Sequence, residues 1–296
     1  MSIESERSAD AAQGATPRSC YLRCMEREIH YVEWGREEAP PVLMCHGLAR
    51  TGRDFDDLAA ALSHEYRVVC PDMIGRGLSQ WSPLPDKEYC LDFYAAIVQA
   101  LMDQLGLERV RWVGTSMGGA IGMRAAATML KGRITHLVLN DIGATVRATP
   151  GAARIASYVA APPAFDTMTE LENFFRSVYT SFGRQSDAHW RRMAEASARR
   201  LPNGKITTHY DPAIVRQYVM YPNDYQQWDY YDRIDIPVLL LRGAESDLLL
   251  ADVAQEMTSR GPRAQLIEVS GCGHAPPLHV PDQIAWVRTF LAQSSR

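Results

Sequence analysis

The chain has 296 residues, of which 46% are hydrophobic and 22% are charged, and its formal net charge is −4. A chain of this length buries a full hydrophobic core, either as one large domain or as one domain with an insertion. The slightly acidic balance gives no broad basic surface for nucleic acid or anionic lipid, so we expect a small-molecule partner.

The first 18 residues are small, polar and mixed in charge, without the apolar run that a secretory signal requires, and we predict a disordered tail over 1–18. No stretch approaches the roughly 18 apolar residues needed to cross a bilayer, so no membrane span is predicted. The six cysteines occur singly, which favours reduced thiols over a zinc site or a disulfide scaffold. These features together predict a cytoplasmic protein.

Two kinds of strand pattern follow the tail. Residues 19–34 alternate apolar and polar side chains around a charged break at 26–28, which predicts an antiparallel hairpin at a sheet edge. Later strands are continuous apolar runs, typical of a parallel sheet covered on both faces. These runs occupy residues 42–45, 66–70, 110–113, 136–141, 237–241 and 265–269, and helical patterns between or after them occupy 54–62, 91–105, 120–130 and 280–291.

The alternation of strands and helices stops between residues 147 and 231. This segment has helical and aromatic-rich stretches and no convincing apolar strand. We therefore predict a helical cap over 147–231, inserted into an α/β core made of 19–146 and 232–296.

Ser116 lies at the junction of a buried strand and a helix, between Gly114 and Gly118. A tight strand-to-helix turn needs small residues on both sides of its tip, where a Cβ would collide with neighbouring elements. The serine is left exposed at that tip. Ser116 is therefore the candidate nucleophile.

A serine hydroxyl needs a base within hydrogen-bond reach and a third group that orients the base. His274 is the candidate base, because it stands in a glycine-rich turn after a predicted sheet strand. Asp247 follows the strand at 237–241 and is the predicted acid. Asp141, just after the preceding strand, is a rival because its loop could also reach the histidine.

Attack on a carbonyl creates an oxyanion that backbone N–H groups stabilise. By position, the predicted donors are the N–H of Met117, directly after the nucleophile, and the N–H of Leu48, in the loop after the strand at 42–45. His46 is expected to shape that loop rather than to transfer protons.

These motifs together resemble the α/β-hydrolase fold, in its lidded esterase type. The matching residues are His46-Gly47 after the third strand, Asp72, Gly75, Gly77 and Ser79 after the fourth, Gly114-Thr115-Ser116-Met117-Gly118-Gly119 at the turn, Asp247 after the seventh strand and Gly273-His274 with Pro276 after the eighth. The resemblance implies a mostly parallel eight-stranded sheet flanked by helices, with its second strand antiparallel, and neither metal nor organic cofactor. Serine at the turn argues against the dehalogenase and epoxide hydrolase branches, which use aspartate there.

The function predicted from these residues is hydrolysis of carboxylic esters with small to medium apolar or aromatic groups, through an acyl-enzyme. The same arrangement of catalytic residues also occurs in lactonases, in thioesterases, in cofactor-free perhydrolases or haloperoxidases, and in hydrolases that cleave carbon–carbon bonds of ring-cleavage products. Arg124 could meet the carboxylate of such a ring-cleavage product, although an ion-paired helix arginine is the simpler interpretation. A non-catalytic binding protein of the same fold is a further alternative.

Overall fold

The computed structural model of the protein describes residues 16–294. The tail predicted over 1–18 therefore lies outside the described residues, except for its last three. Arg18, the last of these, already begins the first strand.

The strands and helices within 16–294 alternate along most of the chain. The strands are β1 (Arg18–Cys24), β2 (Arg27–Trp34), β3 (Pro41–Cys45), β4 (Arg67–Pro71), β5 (Val110–Thr115), β6 (Ile134–Asn140), β7 (Ala164–Phe165), β8 (Ala198–Arg200), β9 (Ile206–Thr208), β10 (Val238–Gly243) and β11 (Gln265–Val269). The helices are α1 (Asp56–Leu62), α2 (Pro85–Glu88), α3 (Leu91–Gln104), α4 (Met117–Ala127), α5 (Pro150–Ala160), α6 (Met168–Val178), α7 (Asp187–Ala196), α8 (Arg216–Met220), α9 (Trp228–Tyr231), α10 (Ala251–Met257) and α11 (Pro281–Leu291). Short 3-10 turns occupy Gly52–Phe55, Thr180–Phe182 and Pro212–Val215.

The main sheet has eight strands in the order β1-β2-β4-β3-β5-β6-β10-β11. The hairpin β1–β2 is antiparallel, β2 is also antiparallel to β4, and the remaining pairs are parallel. The predicted architecture of a mostly parallel, eight-stranded sheet with an antiparallel second strand is confirmed. Since parallel strands end at one edge, the loops after β3, β5, β6, β10 and β11 meet there.

The sheet is covered on both faces because successive residues of a strand point to opposite sides. In β3, Leu43 packs in the cluster that contains α3, α4 and α10, whereas Met44 packs in the cluster that contains α1 and α11. Both residues are fully buried. This double burial explains why these strands are continuous apolar runs rather than alternating ones.

The segment between β6 and β10 carries α5 to α9 and a small core of its own, which includes Leu171, Phe175 and Trp190. It also contains a three-stranded antiparallel sheet in the order β7-β9-β8. The prediction of a helical cap is therefore incomplete, because the segment also contains three short strands. These strands have only two or three residues each, too few to show an alternating pattern in the sequence.

Candidate active site

Ser116 occupies a strained turn between β5 and α4. Its backbone has φ 52° and ψ −115°, in the region that L-residues rarely adopt. A Cβ on Gly114 would lie 2.3 Å from the carbonyl carbon of Gly118, and one on Gly118 would lie 1.9 Å from the Cys45 carbonyl oxygen. The two glycines therefore give the clearance that the turn requires.

His274 lies between the serine and a buried carboxylate. Its Nε2 is 3.0 Å from Ser116 Oγ, and its Nδ1 is 2.7 Å from Asp141 Oδ2. A carboxylate at Nδ1 accepts a hydrogen bond from the N–H of that nitrogen, which leaves the lone pair of Nε2 to accept a hydrogen bond from the serine hydroxyl. The side chain of Asp141 is fully buried and that of His274 is 7% exposed.

The prediction that Asp247 orients His274 is corrected by this geometry. Asp247 instead accepts hydrogen bonds from Arg154 of α5, at 2.8 and 3.1 Å from its two carboxylate oxygens. Its side chain is 35% exposed. The rival residue Asp141 holds the position beside the histidine.

Two residues at and just after the end of β10 donate hydrogen bonds to Asp141, and neither is the predicted Asp247. The Gly243 N–H donates to Asp141 Oδ1 at 2.8 Å, and the Ser246 hydroxyl donates to Asp141 Oδ2 at 2.5 Å. Because β6 and β10 are neighbours in the sheet, the loops after both strands converge on His274. Adjacent strand ends made both acids plausible from the sequence.

Two further residues hold the loops of the site together, and neither was singled out by the sequence. Asn140 Nδ2 donates to Thr115 Oγ1 at 3.0 Å and to the Pro276 carbonyl at 2.8 Å. Ser181, between β6 and β10, donates its hydroxyl to the His274 carbonyl at 2.5 Å. The segment between β6 and β10 thus makes a direct contact with the loop that carries His274.

The two predicted oxyanion donors belong to Met117, directly after the nucleophile, and to Leu48. Met117 begins α4, where the first N–H groups have no acceptor within the helix. Leu48 lies in the loop after β3 and lines the cavity beside Ser116. His46 shapes this loop through two hydrogen bonds, from its Nδ1 to the Gly47 carbonyl and from the Met73 N–H to its Nε2. Burial lowers the pKa of His46, which keeps the ring neutral near pH 7.

Arg76 contacts both residues that carry the predicted donors and is fully buried. Its Nε donates to the Leu48 carbonyl at 2.8 Å, and its Nη2 is 3.4 Å from Met117 Sδ. Among residues 16–294 no carboxylate pairs with this guanidinium, whose remaining contacts include the rings of Tyr89 and Tyr94, with centroids at 5.5 and 5.0 Å. A positive charge without a counter-ion therefore stands next to the candidate oxyanion site.

A cavity of about 700 Å³ opens above Ser116 and His274. Many of its lining residues belong to the segment between β6 and β10. The apolar and aromatic residues there are Ile155, Tyr158, Tyr179, Phe182, Met193, Tyr218 and Tyr225. Part of the aromatic content of that segment therefore lines the cavity.

Arg124 is held away from this cavity. Its guanidinium donates to Asp92 at 2.7 Å and to the Asp224 carbonyl at 3.0 Å, and it lies over the Tyr230 ring. It is not among the residues that line the cavity. The interpretation as an ion-paired helix arginine fits these contacts.

Residues 40–279 match the family model of the α/β-hydrolase fold, and the chain belongs to this family. The chain is 38% identical over 292 residues to a 3-hydroxybutyrate-oligomer hydrolase of Cupriavidus necator, covering 94% of this chain and 98% of that protein. It is 26% identical to a non-heme chloroperoxidase of Streptomyces lividans, over 88% of this chain and 96% of the relative.

A solved α/β hydrolase from Novosphingobium aromaticivorans superposes with a TM-score of 0.81 at 33% identity, covering 94% of this chain and 98% of that one. None of the helices within residues 16–294 has the length and apolar character of a bilayer span. Within the same range, no group of three or more His, Cys, Asp or Glu side chains is arranged to hold a metal ion.

Proposed function

We propose that the protein hydrolyses carboxylic esters, with Ser116 as nucleophile, His274 as general base and acid, and Asp141 as the group that orients the histidine. The observation that carries this proposal is the unbroken hydrogen-bonded series from Ser116 through His274 to Asp141 beneath the cavity. The distances are those at which proton transfer between nucleophile and base takes place.

In the first half of the reaction His274 Nε2 takes the proton of Ser116 while Oγ bonds to the ester carbonyl carbon. The ester C–O bond then breaks, and the leaving alcohol takes that proton from His274. In the second half water gives a proton to His274 and attacks the acyl carbon, the bond from that carbon to Ser116 Oγ breaks, and His274 returns the proton to Oγ. The products are the carboxylic acid and the restored serine hydroxyl.

Both halves pass through an oxyanion. In this proposal the N–H groups of Leu48 and Met117 donate to it, each contributing about 3 kcal/mol in a site that excludes water. The start of α4 adds the positive end of a helix dipole, which further favours negative charge there.

The substrates that we propose are short oligoesters of 3-hydroxybutyrate or a similar hydroxy acid. Identity to the Cupriavidus necator hydrolase over nearly the full length of both chains supports this substrate class. The cavity supports it as well, because aliphatic and aromatic walls accommodate the methyl-bearing chain while its arginines can meet charged ends.

The direct test is hydrolysis of a nitrophenyl butanoate and of the dimer of 3-hydroxybutyrate by the wild type and by Ser116→Ala. We expect the wild type to hydrolyse both esters, and Ser116→Ala to lose about 10⁴-fold or more in kcat, since loss of the nucleophile leaves only binding and the oxyanion site. Ser177→Ala, at an exposed serine of α6, is the control and should match the wild type. Activity retained by Ser116→Ala would contradict the mechanism.

A further inference from the structure

Four arginines among residues 16–294 line the cavity, and one of them differs from the others in burial. The side chains of Arg53, Arg154 and Arg192 are 42%, 30% and 55% exposed, so water screens their charges. The side chain of Arg50 is only 5% exposed. Water therefore screens the charge of Arg50 less than those of the other three, and its counter-ion is Asp54, which lines the same cavity.

The guanidinium of Arg50 has donors to spare. Its Nε and Nη2 form a fork on Asp54, at 2.8 and 2.5 Å. Its Nη1 is buried and has no hydrogen-bond partner at normal geometry among the residues that the structure describes, and the guanidinium also makes a looser polar contact with the Tyr179 side chain. A ligand carboxylate that reached this N–H, which requires the flanking side chains to move, would supply a full acceptor and recover the free energy that the unpaired donor costs.

Aromatic rings hold this guanidinium in place. Its carbon lies 5.3 Å from the centroid of Phe175 and 5.0 Å from that of Tyr179. Phe175 belongs to α6 and Tyr179 directly follows that helix, so residues of the segment between β6 and β10 pack against the arginine. Two flanking rings and the fork on Asp54 fix the group before any ligand arrives, which reduces the entropy lost on binding.

The arginine also begins close to the nucleophile. A Cβ built on Gly47 would lie 3.6 Å from Arg50 Cγ and 3.8 Å from Ser116 Cβ, so both side chains flank the same point. Leu48, which carries one candidate oxyanion donor, lies between Gly47 and Arg50 in the chain. A group bound by Arg50 would therefore lie close to the ester bond that Ser116 attacks.

We propose that Arg50 binds a free carboxylate of the substrate and that the ligands of this site are hydroxy-acid oligoesters with an unblocked carboxyl end. This inference rests on the proposed function. In a 3-hydroxybutyrate oligomer only a short run of atoms separates the last ester carbonyl from the terminal carboxylate, which suits an arginine whose side chain begins beside Ser116. Guanidinium is also the side-chain cation best matched to a carboxylate.

The consequence is cleavage of the last ester bond at the carboxyl end. Ser116 takes the acyl part, the terminal unit leaves as a hydroxy acid with the proton supplied by His274, and water releases the shortened oligomer. That oligomer ends in a new carboxylate, so each product except the last is again a substrate for the same site.

The first test compares the dimer of 3-hydroxybutyrate as the free acid with the same dimer as its methyl ester, both with the wild type. A charge-assisted hydrogen bond in a buried site should make kcat/KM for cleavage of the ester between the two units about 10- to 100-fold higher for the acid. Equal values, or a preference for the methyl ester, would overturn the role of Arg50 while leaving ester hydrolysis intact. Hydrolysis of a nitrophenyl ester but of neither dimer would refute the oligoester substrate and Arg50 together.

The second test compares Arg50→Met with Arg154→Met, a matched change at another arginine of the same cavity. For Arg50→Met we expect kcat/KM to fall about 10- to 100-fold for the acid and less than about threefold for the methyl ester and the nitrophenyl ester. Arg154→Met should keep the preference for the acid. An equal loss on all three esters, or a preference abolished by Arg154→Met, would contradict the proposal.

A third measurement needs no variant, and so does not depend on whether Arg50→Met folds. Free 3-hydroxybutyrate should inhibit nitrophenyl ester hydrolysis by the wild type competitively and at least about tenfold more strongly than 3-hydroxybutyramide, a neutral analogue without an ester bond, does. Inhibition of equal strength by the two compounds would overturn the carboxylate site.

Discussion

At the scale of single residues, the most unusual group in the structure is Arg76. It is completely buried, lacks a carboxylate partner among residues 16–294, and donates to the Leu48 carbonyl beside the candidate oxyanion site. Burying an unpaired cation is costly, so a protein keeps one where the charge has a use. A positive charge at this place would favour the oxyanion over the neutral ester.

Replacing Arg76 by Met should therefore lower kcat by about 10- to 100-fold and leave KM for a neutral ester within about threefold, because the charge acts on the transition state. Steady-state kinetics on a nitrophenyl ester measures both. Arg124→Met removes another buried arginine, away from the cavity, and should lower thermal stability without changing kcat. A rise in KM with unchanged kcat in Arg76→Met would contradict the electrostatic role.

At the scale of elements, α7 contacts the core through a cluster of ionisable side chains. The rings of His189 and His279 lie 4.2 Å apart, and Asp57 of α1 and Arg192 of α7 lie beside them. Burial, together with the neighbouring His189 and Arg192, lowers the pKa of His279 to about 4. The folded protein thus keeps His279 neutral at a pH where the unfolded chain protonates it.

This shift predicts a pH dependence with a definite sign. Between the unfolded pKa of about 6.5 and the folded value of about 4, the unfolded chain binds a proton that the folded protein does not, so stability falls as the pH falls. His279→Gln lacks this titration. The melting temperature should therefore drop less in the variant than in the wild type between pH 7 and pH 5.

Other buried histidines with lowered pKa, such as His46 and His136, are present in both proteins, so the difference between the two drops isolates His279. Thermal unfolding followed by circular dichroism at the two pH values is sufficient. Identical drops in wild type and variant would contradict the assignment.

The elements also differ in how far the sequence predicts them. The strands of the main sheet are continuous apolar runs or a clear alternating hairpin, so β2, β3, β5, β6 and β10 were predictable from pattern alone. The strands β7, β8 and β9 were not, since two or three residues carry no period. Their pairing depends on contacts between residues far apart in the chain.

At the scale of the whole molecule, some residues of the candidate site can be predicted from the sequence and others cannot. Ser116 and His274 stand in glycine-rich turns whose local chemistry marks them in the sequence. No such local feature marks the acid in the sequence, because β6 and β10 end side by side and the loop after each strand contains an aspartate. Arg50 and Arg76 acquire their environment only when distant segments close over them.

The proposed ester hydrolysis depends most on the assembly of Ser116, His274 and Asp141 from three separate loops. Without a carboxylate at Nδ1, His274 takes the wrong tautomer and cannot accept the serine proton, which costs about 10⁴-fold in comparable enzymes. The most direct measurement is kcat for ester hydrolysis by Asp141→Asn and by Asp247→Asn, with thermal melts to verify folding.

We predict a loss of about 10⁴-fold for Asp141→Asn and of less than about threefold for Asp247→Asn, which removes only a partly exposed pair with Arg154. A larger loss in Asp247→Asn than in Asp141→Asn would contradict the account.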